Sequence, residues 1–205
     1  MTGRIGTVAA FVVGAALAGC SEAGRVASST LENMNGPHGG GGSPAAAGEV
    51  MSSAPVTYTN KARNFQFTIP AGWAKVEGDP AGDSVVFRKG RTTLSFNLHY
   101  TQMSADFPAE TSVKASLKSA QEEVRQGKNI AAKRRDEMCV ANPKKLCARG
   151  WELIDNGKSG PQRIIWQAYD TANFYFNFMA SAESNEFAGA RAELQSIIDS
   201  VKFGM

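Results

Sequence analysis

Apolar and polar residues alternate with a period of two along several stretches of this chain, and twice the period lengthens to that of a helix. Phe65-Gln66-Phe67-Thr68-Ile69 alternates strictly and stops at Pro70-Ala71-Gly72, which predicts a strand ended by a turn, with Trp73 to Val76 forming the next strand. Ser84 to Arg88 and Thr93 to Tyr100 flank Lys89-Gly90-Arg91 and read as the two arms of a hairpin. In the second arm Leu94, Phe96, Leu98 and Tyr100 share one face, which leaves Ser95, Asn97 and His99 on the other.

From Thr111 to Gln126 the apolar positions Val113, Leu117, Ala120 and Val124 fall on one helical stripe, with a Thr or Ser available as N-cap and Gly127 placed to end the helix. A β-rich stretch from Ile130 to Met138 follows. Then come Ala148 to Ile154, Arg163 to Tyr169 and Phe174 to Ala180, separated by the turn signals Asp155-Asn156-Gly157 and Asp170-Thr171-Ala172-Asn173. These three predict an antiparallel meander. A last helix from Glu186 to Ser200 turns Phe187, Ala190, Leu194, Ile197 and Ile198 to one side. The order strands, helix, strands, helix implies an α+β domain in which an antiparallel sheet is covered by helices.

The first residues follow a different pattern. Ile5 to Leu17 carries no charge and follows the single cation Arg4; as a helix it spans roughly 20 Å against a hydrocarbon core of roughly 30 Å, too short to cross and the right length for a signal-peptide h-region. Leu17-Ala18-Gly19-Cys20 closes this run and resembles the lipobox of a bacterial lipoprotein precursor, with Leu at the third position before the cysteine and small residues between. The resemblance implies cleavage after residue 19 and a lipidated Cys20 as the first mature residue, hence a membrane-associated protein of the bacterial envelope. In a diderm, Ser21 after the cysteine implies the periplasmic face of the outer membrane. Ala16-Leu17-Ala18 would also serve an ordinary secretory signal; the placement of Cys20 directly after Gly19 favours the lipoprotein.

Between Ser21 and about Val56 the chain is Gly, Ala, Ser and Pro with scattered charge and no apolar period, so it cannot bury enough surface to fold. The expected organisation is a signal peptide over 1–19, a lipidated cysteine and tether over 20–56, and one folded domain over 57–205. A flexible coil of roughly 35 residues reaches about 30 to 35 Å.

Composition narrows the partners and the redox state. Removing the first nineteen residues takes away Arg4 and no acid, lowering the net charge from +3 to +2, a mild excess that selects neither nucleic acid nor anionic lipid. Of the three cysteines, Cys20 is assigned to the anchor, leaving Cys139 and Cys147 as a pair in an exported chain. A disulfide between them is the reading for an oxidising compartment, helped by the turn signal Asn142-Pro143 in the intervening segment. A metal or redox pair is the other reading; the spacing is not C-x-x-C and no His is nearby.

Two segments, Phe65-Gln66-Phe67-Thr68-Ile69-Pro70-Ala71-Gly72-Trp73 and Leu194-Gln195-Ser196-Ile197-Ile198-Asp199-Ser200-Val201-Lys202-Phe203, resemble the opening strand and the closing helix and terminal strand of the PsbP-like superfamily. The resemblance spans nearly the whole domain. Members include photosystem accessory subunits, nuclear-transport regulators, bacterial lipoproteins and secretion chaperones, so it implies non-catalytic binding more than chemistry and selects no single function.

The search for chemistry returns little. His99 is the only histidine of the domain, and no G-x-S-x-G occurs. Gly157-Lys158-Ser159 ends like a phosphate loop, but the position five before Gly157 is Glu152, where such a loop has glycine. The basic groups Lys133-Arg134-Arg135 and Lys144-Lys145 surround the cysteine pair and read as a solvated strand edge, with docking to an acidic partner or lipid headgroups as the alternative. Tyr175, Asn177 and Met179 alternate with Phe174, Phe176 and Phe178, so one side of that strand is apolar while the other offers an aromatic, an amide and a thioether. If the strands are neighbours, Asn97, His99, Gln167, Tyr175 and Asn177 form one binding face. The expected function is thus a membrane-anchored envelope lipoprotein with a non-enzymatic domain that binds an envelope protein or a small ligand. It carries no catalytic set, metal or cofactor and takes no nucleic acid. The alternative is an envelope enzyme of hydrolase type using His99 with carboxylates assembled by folding.

Overall fold

The computed structural model describes residues 51–78, 83–158 and 160–205. The signal segment, Cys20 and the tether up to residue 50 lie outside the described residues. The order is β1 (Val56–Asn60), β2 (Phe65–Ile69), β3 (Trp73–Gly78), β4 (Ser84–Lys89), β5 (Ser95–Gln102), α1 (Ala109–Arg125), β6 (Asn129–Arg134), β7 (Glu137–Met138), β8 (Leu146–Asp155), β9 (Gln162–Asp170), β10 (Phe174–Ala182), α2 (Ser184–Asp199) and β11 (Lys202–Phe203). β1 begins at Val56, and before it the Ser52 carbonyl accepts the Gly72 N–H at 2.8 Å.

Two antiparallel sheets make the domain. The larger has eight strands, with path β3-β4-β5-β10-β9-β8-β6 and β7 also paired to β8; the smaller has three, in the order β1-β2-β11. The fold class expected from the element order, α+β with antiparallel sheet and covering helices, is the fold observed. The β-rich stretch expected from Ile130 to Met138 holds two strands, β6 and β7, because the Arg135 N–H turns to the Gly150 carbonyl (3.0 Å) and Asp136 Oδ1 accepts the Gly150 N–H, interrupting the ladder.

The inner face of the large sheet meets the small sheet and α2. Alternation accounts for the choice of face: Phe65, Phe67 and Ile69 of β2 point at Phe96, Phe176 and Phe178, with ring centroids 4.9 Å apart for Phe67 and Phe96 and 5.4 Å for Phe65 and Phe176. Phe187, Leu194, Ile197 and Ile198 of α2 join the same core. Each such aromatic contributes about 3–5 kcal/mol against truncation to alanine, so this aromatic layer is the principal source of stability.

The outer face is covered in part. Val113 and Ala120 of α1 pack with Leu117 on Trp151, Leu153, Ala132 and Tyr169, over β8, β6 and one end of β9. The N-cap is Pro108 with no side-chain cap, in place of the expected Thr or Ser. The C-terminus follows the expectation: Gly127, at φ 68°, donates to the Val124 carbonyl and Lys128 to that of Glu123, a pair of bonds that needs the left-handed backbone glycine adopts at little cost.

Candidate binding face

Cross-strand register brings the sequence-selected residues together. Ser84, His99, Asn177, Gln167 and Trp151 stand opposite one another in turn, one row across β4, β5, β10, β9 and β8. The next row is Val86, Asn97, Met179, Ile165 and Leu153, and on the other side Tyr175 stands between Thr101 and Tyr169, its ring 5.2 Å from that of Tyr169. With strands about 4.8 Å apart, the patch from β4 to β9 is about 15 Å wide. Trp151 marks where α1 begins to cover the row. Beyond it His99 is exposed, and Asn97, Gln167, Tyr175, Asn177 and Met179 are half-buried.

The polar groups of this face are unevenly satisfied. Ser95 and Ser181 share a hydrogen bond of 2.8 Å, and Asn97 Nδ2 donates to Ser95 Oγ at 3.4 Å. Asn177 Oδ1, in the middle of the row, is buried and accepts no hydrogen bond from a described residue. A buried acceptor in that state costs about 1–3 kcal/mol. The imidazole of His99 makes no hydrogen bond or ion pair with a described residue, its cross-strand neighbours being Ser84 and Asn177.

The reading of the row stopped short of Ser84 and Ile165, although the alternation Ser84, Val86, Arg88 in the first arm of the hairpin contained the signal for Ser84. What no local pattern contains is the extent of α1, which decides that Trp151 is covered and Gln167 is not.

Cys139 and Cys147 are joined by a disulfide, Cα atoms 4.9 Å apart, across a turn in which Cys139 N–H donates to the Lys145 carbonyl and Lys145 N–H to that of Asn142. The staple also reaches the C-terminal segment, since Val140 and Ala141 donate to the Phe203 and Gly204 carbonyls at 2.8 Å each.

The basic run beside it lies on and just after the edge strand β6, where Lys133 is exposed as expected and the Arg135 side chain is only 13% exposed. Lys133 pairs with Glu152 at 3.1 Å, Arg134 with Glu110 at 2.9 Å and Asp136 at 2.7 Å, and Arg135 with Glu152 and, at 2.8 Å, Asp199. Arg135 also stacks on Trp166 at 4.5 Å and donates to the Ile198 carbonyl at 2.8 Å, tying β8 and β9 to the end of α2. Glu152 is only 3% exposed and the Arg135 side chain 13%, so this pair fastens sheet to helix, while Lys133 and Asp199 reach it from the solvent side. The Arg134 fork holds the Glu110 carboxyl below its ordinary range.

Among the described residues no cluster of three or more His, Cys, Asp or Glu is placed to hold a metal ion, and no helix is long and apolar enough to cross a membrane. The fold and this face define an antiparallel α+β domain with one half-covered sheet face. Among solved structures, the domain is similar to cyanobacterial PsbP (CyanoP) from Synechocystis sp. PCC 6803, at 16% identity and a TM-score of 0.48, over 78% of this chain and 98% of that one. No family model matches the chain. No curated protein matches it.

Proposed function

We propose that this protein is a lipid-anchored component of the bacterial envelope whose domain works by non-enzymatic binding, using the part of the outer sheet face that α1 leaves open. The observation that carries the reading is the row His99, Asn177 and Gln167, brought together by register on the part of the face beyond Trp151. Such a row offers an imidazole and the amides of Asn177 and Gln167 beside the apolar bodies of Val86, Met179 and Ile165. That combination fits a partner that brings hydrogen-bond donors and a modest apolar surface, an envelope protein or a small ligand. The anchor, read from Leu17-Ala18-Gly19-Cys20, holds the domain within a tether length of the bilayer and raises its effective concentration for partners there.

The test has two arms in intact cells. A photoreactive side chain at position 97 gives one dominant stoichiometric adduct, and the same group at Lys118, on the exposed back of α1, does not; equal adducts from both positions defeat the face. Cys20→Ser abolishes acyl labelling and moves the protein out of the membrane fraction, and retained labelling defeats the anchor.

A further inference from the structure

A second recess lies away from the sheet face, where the β1–β2 turn, the β9–β10 turn and the disulfide meet. It encloses about 210 Å³, roughly seven times the share of one liquid water, room for a molecule of a handful of heavy atoms. Ala62, Cys147, Ala172 and Phe203 supply apolar lining, and Arg63 and Asp170 supply opposite charges.

The two charges face the same space and do not close on each other. The Arg63 guanidinium lies over the Phe174 ring, 3.8 Å from its centroid, and donates no side-chain hydrogen bond to a described residue. Stacking of this kind fixes the plane of the fork while leaving its N–H edge available for a carboxylate. Asp170 is held rigidly by its other oxygen: Oδ1 accepts the N–H groups of Ala172 at 2.8 Å and Phe174 at 2.9 Å, and Oδ2 has no partner among the described residues. Burial pushes this carboxyl above its ordinary value, while the two backbone bonds and the charge of Arg63 pull it down. The walls are braced as well, because Thr171 N–H donates to the Cys147 carbonyl at 3.1 Å and Gly204 N–H to that of Asn64 at 2.9 Å.

An anion alone would meet Arg63 favourably and Asp170 unfavourably, and a cation alone the reverse. We propose that this recess binds a small α-amino acid as its zwitterion, the carboxylate on the Arg63 fork, the ammonium on Asp170 Oδ2, and a short side chain against Ala172 and Phe203. The site is independent of the sheet face, so its failure leaves the reading above untouched.

The test is a titration of the ¹⁵N-labelled full chain with L-alanine, followed at the amides of Asn64, Thr171, Ala172 and Gly204 and at Arg63 Nε–H. Saturable shifts are expected at these positions, with acetate and methylammonium each binding at least tenfold more weakly than alanine. Asp170→Asn keeps the Oδ1 acceptor that shapes the turn and removes the charge, so it stays folded and binds alanine at least tenfold more weakly, as does Arg63→Gln. Asn177→Leu, on the sheet face, binds alanine like the parent. Absence of saturable shifts, acetate binding as well as alanine, full affinity in Asp170→Asn or Arg63→Gln, or loss of affinity in Asn177→Leu overturns the assignment.

Discussion

Asn177→Leu replaces a half-buried amide at the centre of the β10 row with a hydrocarbon of the same branching and heavy-atom count, though larger. In most interiors such a loss of polar groups is destabilising, because a hydrogen bond goes with it. Here Oδ1 is buried and accepts no bond, so the parent already carries the cost of an unmade interaction, about 1–3 kcal/mol. Leucine removes that cost and sits between Tyr175 and Met179 on the same face, at a small penalty for the part that remains exposed. We expect the variant to be more stable by about 1–2 kcal/mol, which for a slope of about 2 kcal/mol/M raises the urea midpoint by roughly 0.5–1 M. The melting temperature of a domain this size would rise by about 2–6 °C. Asn177→Asp is the paired control, since it places a charge in the same half-buried position without a donor and lowers stability by about 1–3 kcal/mol. Equilibrium urea unfolding of both variants beside the parent decides it. A leucine variant less stable than the parent, or an aspartate variant equal to it, refutes the reasoning that this oxygen is unsatisfied. Gained stability with lost partner binding is the pattern expected of a site residue kept at a cost to the fold.

Three other outcomes follow from the same geometry. The double change Cys139→Ser/Cys147→Ser removes a bridge between residues separated by 8 positions and lowers the unfolding free energy by about 2.5 kcal/mol in the chain-entropy account, read by denaturant unfolding; non-reducing peptide mapping of the parent shows the two cysteines linked. Gly150→Ala would put a Cβ 2.1 Å from the Gln167 carbonyl oxygen and 2.8 Å from Ala168 Cα, so the β8–β9 ladder must open, and a loss of more than about 3 kcal/mol or failure to fold is expected in a solubility and circular dichroism screen. Glu193 accepts bonds from Trp73 Nε1 at 2.8 Å and Lys89 Nζ at 2.6 Å; burial raises its carboxyl, and those two bonds with the Lys89 charge outweigh burial, holding it below its ordinary value of 4.5. A depressed carboxyl stabilises above its unfolded pKa and loses that contribution as pH falls through the folded one. Glu193→Gln is therefore less stable than the parent by about 1–2 kcal/mol at neutral pH, and urea midpoints measured down a pH series converge in acid; a gap that stays constant would remove the linkage.

Local pattern carried most of the secondary structure because its causes are local. The alternation of Phe65, Phe67 and Ile69, the stripe of Val113, Leu117 and Ala120, and the turn residues around Gly127 and Asn173 each act within a few positions of themselves. The same period placed Asn97, His99, Gln167, Tyr175 and Asn177 on the non-core sides of their strands, and the even cysteine pair pointed to its own bridge. Errors gathered where distant residues intervene. The β-rich stretch from Ile130 to Met138 holds two strands, parted at Arg135, whose side chain reaches Glu152, Asp199 and Trp166, none of them near it in sequence. For the same reason the burial of Arg135 could not be told apart from the exposed edge on which Lys133 lies.

By itself, then, the order of residues determined which face of each strand is apolar, where the two helices run and that the domain is α+β, since these depend on periodicities of two and 3.6. Only the tertiary structure decided that His99, Asn177 and Gln167 fall in one row, that along this row the cover of α1 reaches no further than Trp151, and that Asn177 Oδ1 accepts no bond from a described residue. Those outcomes depend on strand order, register and the reach of a helix over a sheet. Each is a matter of contacts between positions tens of residues apart, and no short window of sequence contains them.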